Sequence, residues 1–344
     1  MHEVVTDRDG GDAGAVPAAA FRFGTRSQPV ARQSWPDLAA PGKFMDVDGR
    51  SSIASFLADA AKATAKRYGQ PVPPCAAAVE NDFWGEWARA GDAADAAPKG
   101  RPPPQPMWVN YGNDVEGSLF AAAGKGCPLS DSPWNLRRLP HARGSLLAGM
   151  TGPAAVPGVT TPMLYIGGLF AAFGWHVEDA ALYSINFAHA GHPKIWYGVP
   201  AADADAFEAA VATCAYAAGL KGRGGRPLSP CAAAAATAAV LAAKTTLVPP
   251  GALLAAGVRV HRVTHEPGTY VLTLPRAYHG GFSAGVHVGE AVNLATADWL
   301  PFGLDAADRH SALRSRAVVD VEGLLLGEAE RVVGAAAAAR GGAR

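Results

Sequence analysis

Paired cysteines are missing from this chain. Its four cysteines, at 75, 127, 214 and 231, form no CxxC and no dense framework. That argues against a disulfide scaffold and for free thiols in a reducing compartment. A surplus of either charge is also missing. Thirty Lys and Arg balance thirty Asp and Glu, for a net charge of zero. With no global basic field, direct nucleic-acid binding is not indicated. KGRGGR (221–226) reads as a solvated loop rather than an import signal. No apolar run is long enough to span a bilayer, and MHEVVTDRDGGDAGAVP at the N-terminus lacks a signal-peptide core. The expectation is a soluble, intracellular chain with no membrane partner.

What is present is a metal-ligand pattern. WHVED (175–179) holds His176 and Glu178, and PRAYHGGF (275–282) holds His279. Two histidines and one carboxylate make the facial triad of non-haem Fe(II) oxygenases, which leaves three metal positions open. On a strand, residues i and i+2 share a face, so His176 and Glu178 can reach one ion while Val177 packs behind. The distant His279 is expected from a facing strand, as a jelly roll or cupin barrel would place it. Alone, H-x-E is a weak signal, because a buried histidine is more often a satisfied core residue. Alternating runs such as LYSINFA read first as half-buried strands.

The flanking sequence adds to this pattern. TPMLYIGGLFAAFGWHVEDAALYSINFAHAGHPKIWYGVP (161–200) and GTYVLTLPRAYHGGFSAGVHVGEAVNLATADWLPFG (268–303) resemble the Jumonji C family of Fe(II)- and 2-oxoglutarate-dependent histone lysine demethylases. VNYGNDVEGSLF (109–120), SPWNLRR (132–138) and GSLLAGMTGPAAVPGVTTPMLYI (144–166) extend the likeness across roughly 105–305. The pattern is most similar to a plant-type group related to the jumonji-domain-2 enzymes. The resemblance implies a mainly β fold with α additions, a double-stranded β-helix (jelly-roll, cupin-like barrel) with flanking helices. It implies Fe(II) on His176, Glu178 and His279, with 2-oxoglutarate and O2 as co-substrates. Lys194 and Asn186 would bind the co-substrate carboxylates, with Phe173, Trp196 and Phe120 as walls. Tyr165, Gly158, Asn293, Ala291 and Lys244 would line the methyl-lysine side. The implied activity is removal of methyl groups from lysine 27, 9 or 36 of histone H3, by N-methyl hydroxylation and formaldehyde release, in the nucleus. The implied partner is the methylated H3 tail, with targeting supplied by a chromatin complex. A protein hydroxylase and a non-catalytic scaffold are the rival readings.

The chain departs from the family at several places. Phe120 stands where a Tyr hydroxyl would help bind the co-substrate. Ala291 and Val292 replace a polar pair, Ala284 replaces a His, and a His appears at 287 instead. Cys231 lies near an expected zinc ligand, but Ala243 occupies the expected His position, so no structural zinc is expected. No JmjN-like segment, zinc finger, PHD or Tudor-like module is recognised. A basic tail would need local acidity, for which Asp114, Glu116 and Asp179 are candidates. His189 and His192 are expected in a loop before Lys194, facing solvent or lying just behind the site.

The expected organisation is a disordered stretch over 1–30, a helical segment and Pro-rich linker over 31–104, the barrel over 105–305 with a helical insertion at 201–250, and a helical tail over 306–344. Within it, 51–69 reads as a helix opened by Ser and closed by Gly. A short helix over 81–91 would dock Phe83, Trp84 and Trp87 on the barrel. GSLLAGM reads as a helix outside the barrel. The tail reads as one amphipathic helix.

Overall fold

The structure, a computed structural model, describes residues 3–7, 13–17, 19–31, 45–96, 105–121, 129–150, 154–217, 219–221, 225–313 and 317–341. In chain order, strands β1 (Glu3–Asp7) and β2 (Ala13–Pro17) pair with each other. β3 (Arg22–Val30) and β4 (Met45–Ser52) follow, then helices α1 (Ile53–Tyr68) and α2 (Ala76–Asp95). Next come β5 (Met107–Glu116), β6 (Met163–Gly167), β7 (Ala172–His176), β8 (Tyr183–Gly191) and β9 (Lys194–Val199). Helices α3 (Ala204–Cys214), α4 (Pro230–Leu241) and α5 (Pro250–Ala255) form the insertion. The last strands are β10 (His261–His265), β11 (Tyr270–Thr273), β12 (Tyr278–Ser283) and β13 (His287–Leu294). Helices α6 (Leu300–Leu313) and α7 (Val321–Gly341) close the chain.

The larger strands build two antiparallel sheets, ordered β10-β9-β12-β7 and β11-β8-β13-β6-β5-β3-β4. This is the expected mainly β, jelly-roll architecture. Alternation sorts the side chains. On β9, Ile195, Tyr197 and Val199 join the largest apolar core, while Lys194 and Trp196 line the internal cavity. The outer face of the four-stranded sheet packs against the helices. Phe83 of α2 stacks on Phe282 of β12 at 3.9 Å between ring centroids, and Trp84 Nε1 donates to Tyr197 Oη at 2.9 Å. Gln28 of β3 ties the sheets together, its Nε2 donating to the Ala172 carbonyl of β7 at 2.9 Å.

Helix α1 has the boundaries its sequence announces. Ser52 caps it in a reciprocal box with Ser55, and Gly69 ends it in the left-handed conformation at φ 74°. Helix α2 runs well beyond the expected 81–91: it takes in the Ala-rich residues on both sides, where Ala propensity outweighs the cost of Gly91. It thereby reaches residue 95, at the edge of the expected Pro-rich linker, of which residues 97–104 lie outside the described residues. Other expectations also change. Residues 1–30 are not uniformly disordered, since β3 pairs with both β4 and β5, and Phe23, Thr25, Gln28 and Val30 are buried. A nine-residue strand that pairs with a partner eighty residues downstream has no local signature of that partner. The sheet consequently begins well before 105, and the segment 31–104 includes β4. GSLLAGM forms one 3-10 turn, Leu146–Gly149. The boundary at 305 falls inside α6. In α7, Leu326, Val332 and Val333 are exposed, so its apolar residues do not all face the protein. Among the described residues, no helix is long and apolar enough to cross a membrane.

A close approach demands glycine at 281. A Cβ on Gly281 would lie 1.9 Å from the Ile195 carbonyl oxygen of β9 and 2.9 Å from the Phe173 ring. Gly281→Ala is expected to cost about 3 kcal/mol, since overpacking against a backbone atom has no flexible neighbour to relieve it. Thermal denaturation beside the wild type checks this, and an unchanged midpoint would contradict the packing described.

Candidate functional site

His176 ends β7, and its antiparallel partner across the ladder is His279 of β12. Directly paired residues share a face, so the rings meet, 4.3 Å apart between centroids. The third ligand candidate therefore comes from the neighbouring strand of the same sheet, not from a facing strand as the barrel argument suggested. Glu178 lies two residues beyond the end of β7. Its Oε1 is 3.3 Å from His279 Nε2 and 4.0 Å from His176 Nε2. Among the described residues no other group of three or more His, Cys, Asp or Glu side chains brings ligand atoms within 4.8 Å of one another.

A bulge makes this possible. Phe173 pairs with Gly281 and His176 with His279, so two residues of β7 oppose one of β12. In an unbroken strand Phe173 and His176 would point to opposite faces. The extra residue turns both into the cavity, while Trp175 goes to the core and donates from Nε1 to the Val248 carbonyl at 2.9 Å. Gly174 sits in the bulge because a Cβ there would lie 2.6 Å from the Lys244 carbonyl oxygen.

The histidines are set for metal. Nδ1 of His176 donates to the Gly174 carbonyl at 2.7 Å, and Nδ1 of His279 to the Ala277 carbonyl at 3.0 Å. A carbonyl only accepts, so each ring carries a proton on Nδ1, and Nε2 is the nitrogen left to face a metal. Burial, with His279 adding, pushes His176 down to about 3, so it is neutral near pH 7. For Glu178 burial works upward, but the neighbouring His279, then His176 and Lys244, outweigh it. Its carboxyl is held below the ordinary range.

The trio opens into a cavity of about 540 Å³ that also holds Lys194, Asn186, Phe173, Trp196, Tyr165, Gly158, Ala291, Val292, Asn293 and Lys244. Lys194 is buried, and its amine lies over the rings of Phe173, Tyr111 and Tyr165 at 5.1, 5.6 and 5.9 Å. No carboxylate pairs with it among the described residues. Burial alone pulls its pKa down to about 7. A buried ammonium without an anion is costly, so the chemistry of the site favours an anionic ligand there. Trp196 Nε1 is a buried donor with no hydrogen-bond partner among the described residues, and Asn186 Nδ2 donates to Ser184 Oγ at 3.0 Å. Lys244, left-handed at φ 58°, pairs with Asp179 at 3.1 Å. Asn293 Nδ2 donates to Glu178 Oε2 at 3.1 Å and to the Tyr183 carbonyl at 3.0 Å.

Phe120 is not in the cavity. It packs in a separate cluster with Leu136, Ile185, Phe187 and Val292, on the outer face of β8. The hydroxyl near Lys194 belongs to Tyr111, at 3.4 Å. Both aromatics lie in VNYGNDVEGSLF, and only Tyr111 is in strand β5, whose alternation carries it inward. The missing hydroxyl assigned to Phe120 is therefore no loss to the site. A bulge in β5 opposite Tyr165 swings Asp114 (φ 54°) to the Tyr165 hydroxyl at 3.3 Å. Asp114 and Asp179 line the cavity; Glu116 does not. His189 lies within β8, not in a loop, and its Nε2 is 2.8 Å from Glu290. His287 is buried, with Nδ1 donating to the His192 carbonyl at 2.9 Å, and Ala284 fills part of the main core.

Residues 163–294 match the family model described as "JmjC domain, hydroxylase". The chain is 36% identical over 305 residues to "Lysine-specific demethylase JMJ706" of Oryza sativa subsp. japonica, covering 89% of this chain and 32% of that protein. It is 40% identical over 261 residues to "Probable lysine-specific demethylase SE14" of the same organism, covering 70% and 16%. It is 41% identical over 220 residues to "Lysine-specific demethylase REF6" of Arabidopsis thaliana, covering 61% and 15%. The chain thus spans a third or less of the length of these relatives.

Proposed function

The chain contains a JmjC domain over residues 163–294, and from that premise we propose that it is an Fe(II)- and 2-oxoglutarate-dependent dioxygenase that demethylates lysine of histone H3 in the nucleus. The observation that carries this reading is the convergence of His176, Glu178 and His279 in the same cavity as the unpaired Lys194. The names of the relatives support the lysine substrate.

The residues present fit the metal and the co-substrate. Two imidazoles and a carboxylate suit Fe(II) with positions to spare. Lys194 and the Tyr111 hydroxyl would hold the distal carboxylate of 2-oxoglutarate. Asn186 would serve its metal-proximal end, and Phe173 and Trp196 would wall it from water. Iron with 2-oxoglutarate and O2 supplies an oxidant strong enough to hydroxylate an N-methyl carbon. That chemistry needs no lone pair on nitrogen, so a trimethylated lysine is allowed. Tyr165, Gly158, Ala291 and Lys244 would border the methylated side chain. Asp114 and Asp179 would face the basic tail. Lysine 27, 9 or 36 of H3 is the proposed target, and a chromatin complex the proposed source of targeting.

The test is anaerobic Fe(II) loading, then aerobic incubation with 2-oxoglutarate and H3 peptides trimethylated at each of these lysines. Iron- and 2-oxoglutarate-dependent loss of a methyl unit with formaldehyde release is expected from one of them. The description of the matched domain as a hydroxylase favours one alternative, stable hydroxylation of a protein. Oxygen addition to a peptide without formaldehyde would establish it. A folded protein that binds neither iron nor 2-oxoglutarate would be a scaffold.

A further inference from the structure

We propose that Asn293 sets the binding mode of the Glu178 carboxylate, a positioning role different from the substrate contact that the resemblance implies for it. The inference rests on the metal reading above. Asn293 is buried on β13, opposite Ser184 of β8. Its Nδ2 donates to Glu178 Oε2 at 3.1 Å and to the Tyr183 carbonyl at 3.0 Å. A carboxylate and a carbonyl can only accept, so the orientation of the amide follows and both of its N–H groups are used.

The two oxygens of Glu178 are thereby made different. Oε2 is held by Asn293. Oε1 faces the histidines, 3.3 Å from His279 Nε2 and 4.0 Å from His176 Nε2. Glu178 needs such a hold because it has left the ladder of β7. It opens a turn in which Ala180 and Ala181 are both left-handed, each at φ 51°. The two strands that carry the histidines position His176 and His279 through their backbones. The carboxylate is positioned instead by a side chain from the other sheet.

The consequence lies in how many metal positions stay open. A carboxylate that ligates through one oxygen leaves three positions of a six-coordinate ion, enough for a chelating 2-oxo acid and one more ligand. Ligation through both oxygens would remove one of them. Asn293, by occupying Oε2, keeps that position for the co-substrate.

The test uses the wild-type chain, Asn293→Ala, and Asn293→Leu, which keeps the shape and loses the donor. Co(II) affinity is measured first without co-substrate. The Fe(II) form is then titrated anaerobically with 2-oxoglutarate, following the charge-transfer absorbance of the chelate. Both variants are expected to bind Co(II) but to chelate 2-oxoglutarate about 10- to 100-fold more weakly, the range for partners that orient a metal ligand. Unchanged chelation, with only the peptide KM raised, would overturn the proposal and return Asn293 to the substrate side. A wild-type protein that binds neither metal would show that the metal reading itself has failed. If neither variant folds by circular dichroism, the Co(II)-bound wild-type crystal structure decides. Ligation through Oε1 alone supports the role of Asn293, and ligation through both oxygens overturns it.

Discussion

His176→Ala should bind Fe(II) at least about 100-fold more weakly than the wild type and show only background turnover. The loss exceeds the roughly 10- to 100-fold cost of removing a group that merely orients a ligand, because one of three ligands is gone. The fold should survive. His176 ends its strand, and its ring contacts lie in the cavity rather than in the main core. Its Nδ1 hydrogen bond closes on the nearby Gly174 carbonyl, so no distant contact is lost. Metal titration and circular dichroism together decide. Substantial turnover by pure, metal-replete His176→Ala protein would remove the trio from the chemistry.

Lys194→Met should keep the metal and lose the co-substrate. Hydrogen bonds to a charged group contribute about 1.5–3 kcal/mol, which corresponds to an affinity for 2-oxoglutarate about 10- to 150-fold lower. The variant should be no less stable than the wild type when no ligand is bound, because it removes a buried amine whose charged form has no anion. Affinity in the wild type should also depend on pH with a definite sign. Without ligand, burial holds Lys194 near 7. The amine is charged below that value and neutral above it. A carboxylate needs the charged form, so affinity should be highest below about pH 7 and fall as pH rises beyond it. Calorimetric titration from pH 6 to 9 checks this. A flat profile in the wild type, or tight binding by Lys194→Met, would take Lys194 out of the anion site.

Much of this protein is determined by residues that act locally. Ser52 and Gly69 mark α1 wherever the chain goes, because caps satisfy their own backbone. The Ala-rich insertion is helical for the same reason. The identities of His176, Glu178 and His279 are legible because the metal chemistry demands those side chains. What only the tertiary structure decided depends on pairing between distant strands. The bulge at Gly174, which turns Phe173 and His176 to one face, exists only against β12, and strict alternation would have separated them. Pairing likewise put His279 beside His176 instead of across the barrel. It drew β3 into the sheet from a stretch that looks disordered alone. It sent Tyr111 rather than Phe120 to Lys194, since one lies on a strand and the other past its end. It also gave Asn293 to Glu178. Residue type and capping are properties of a few neighbouring positions, whereas register is a property of two segments at once, and a single chain read in order carries only the first.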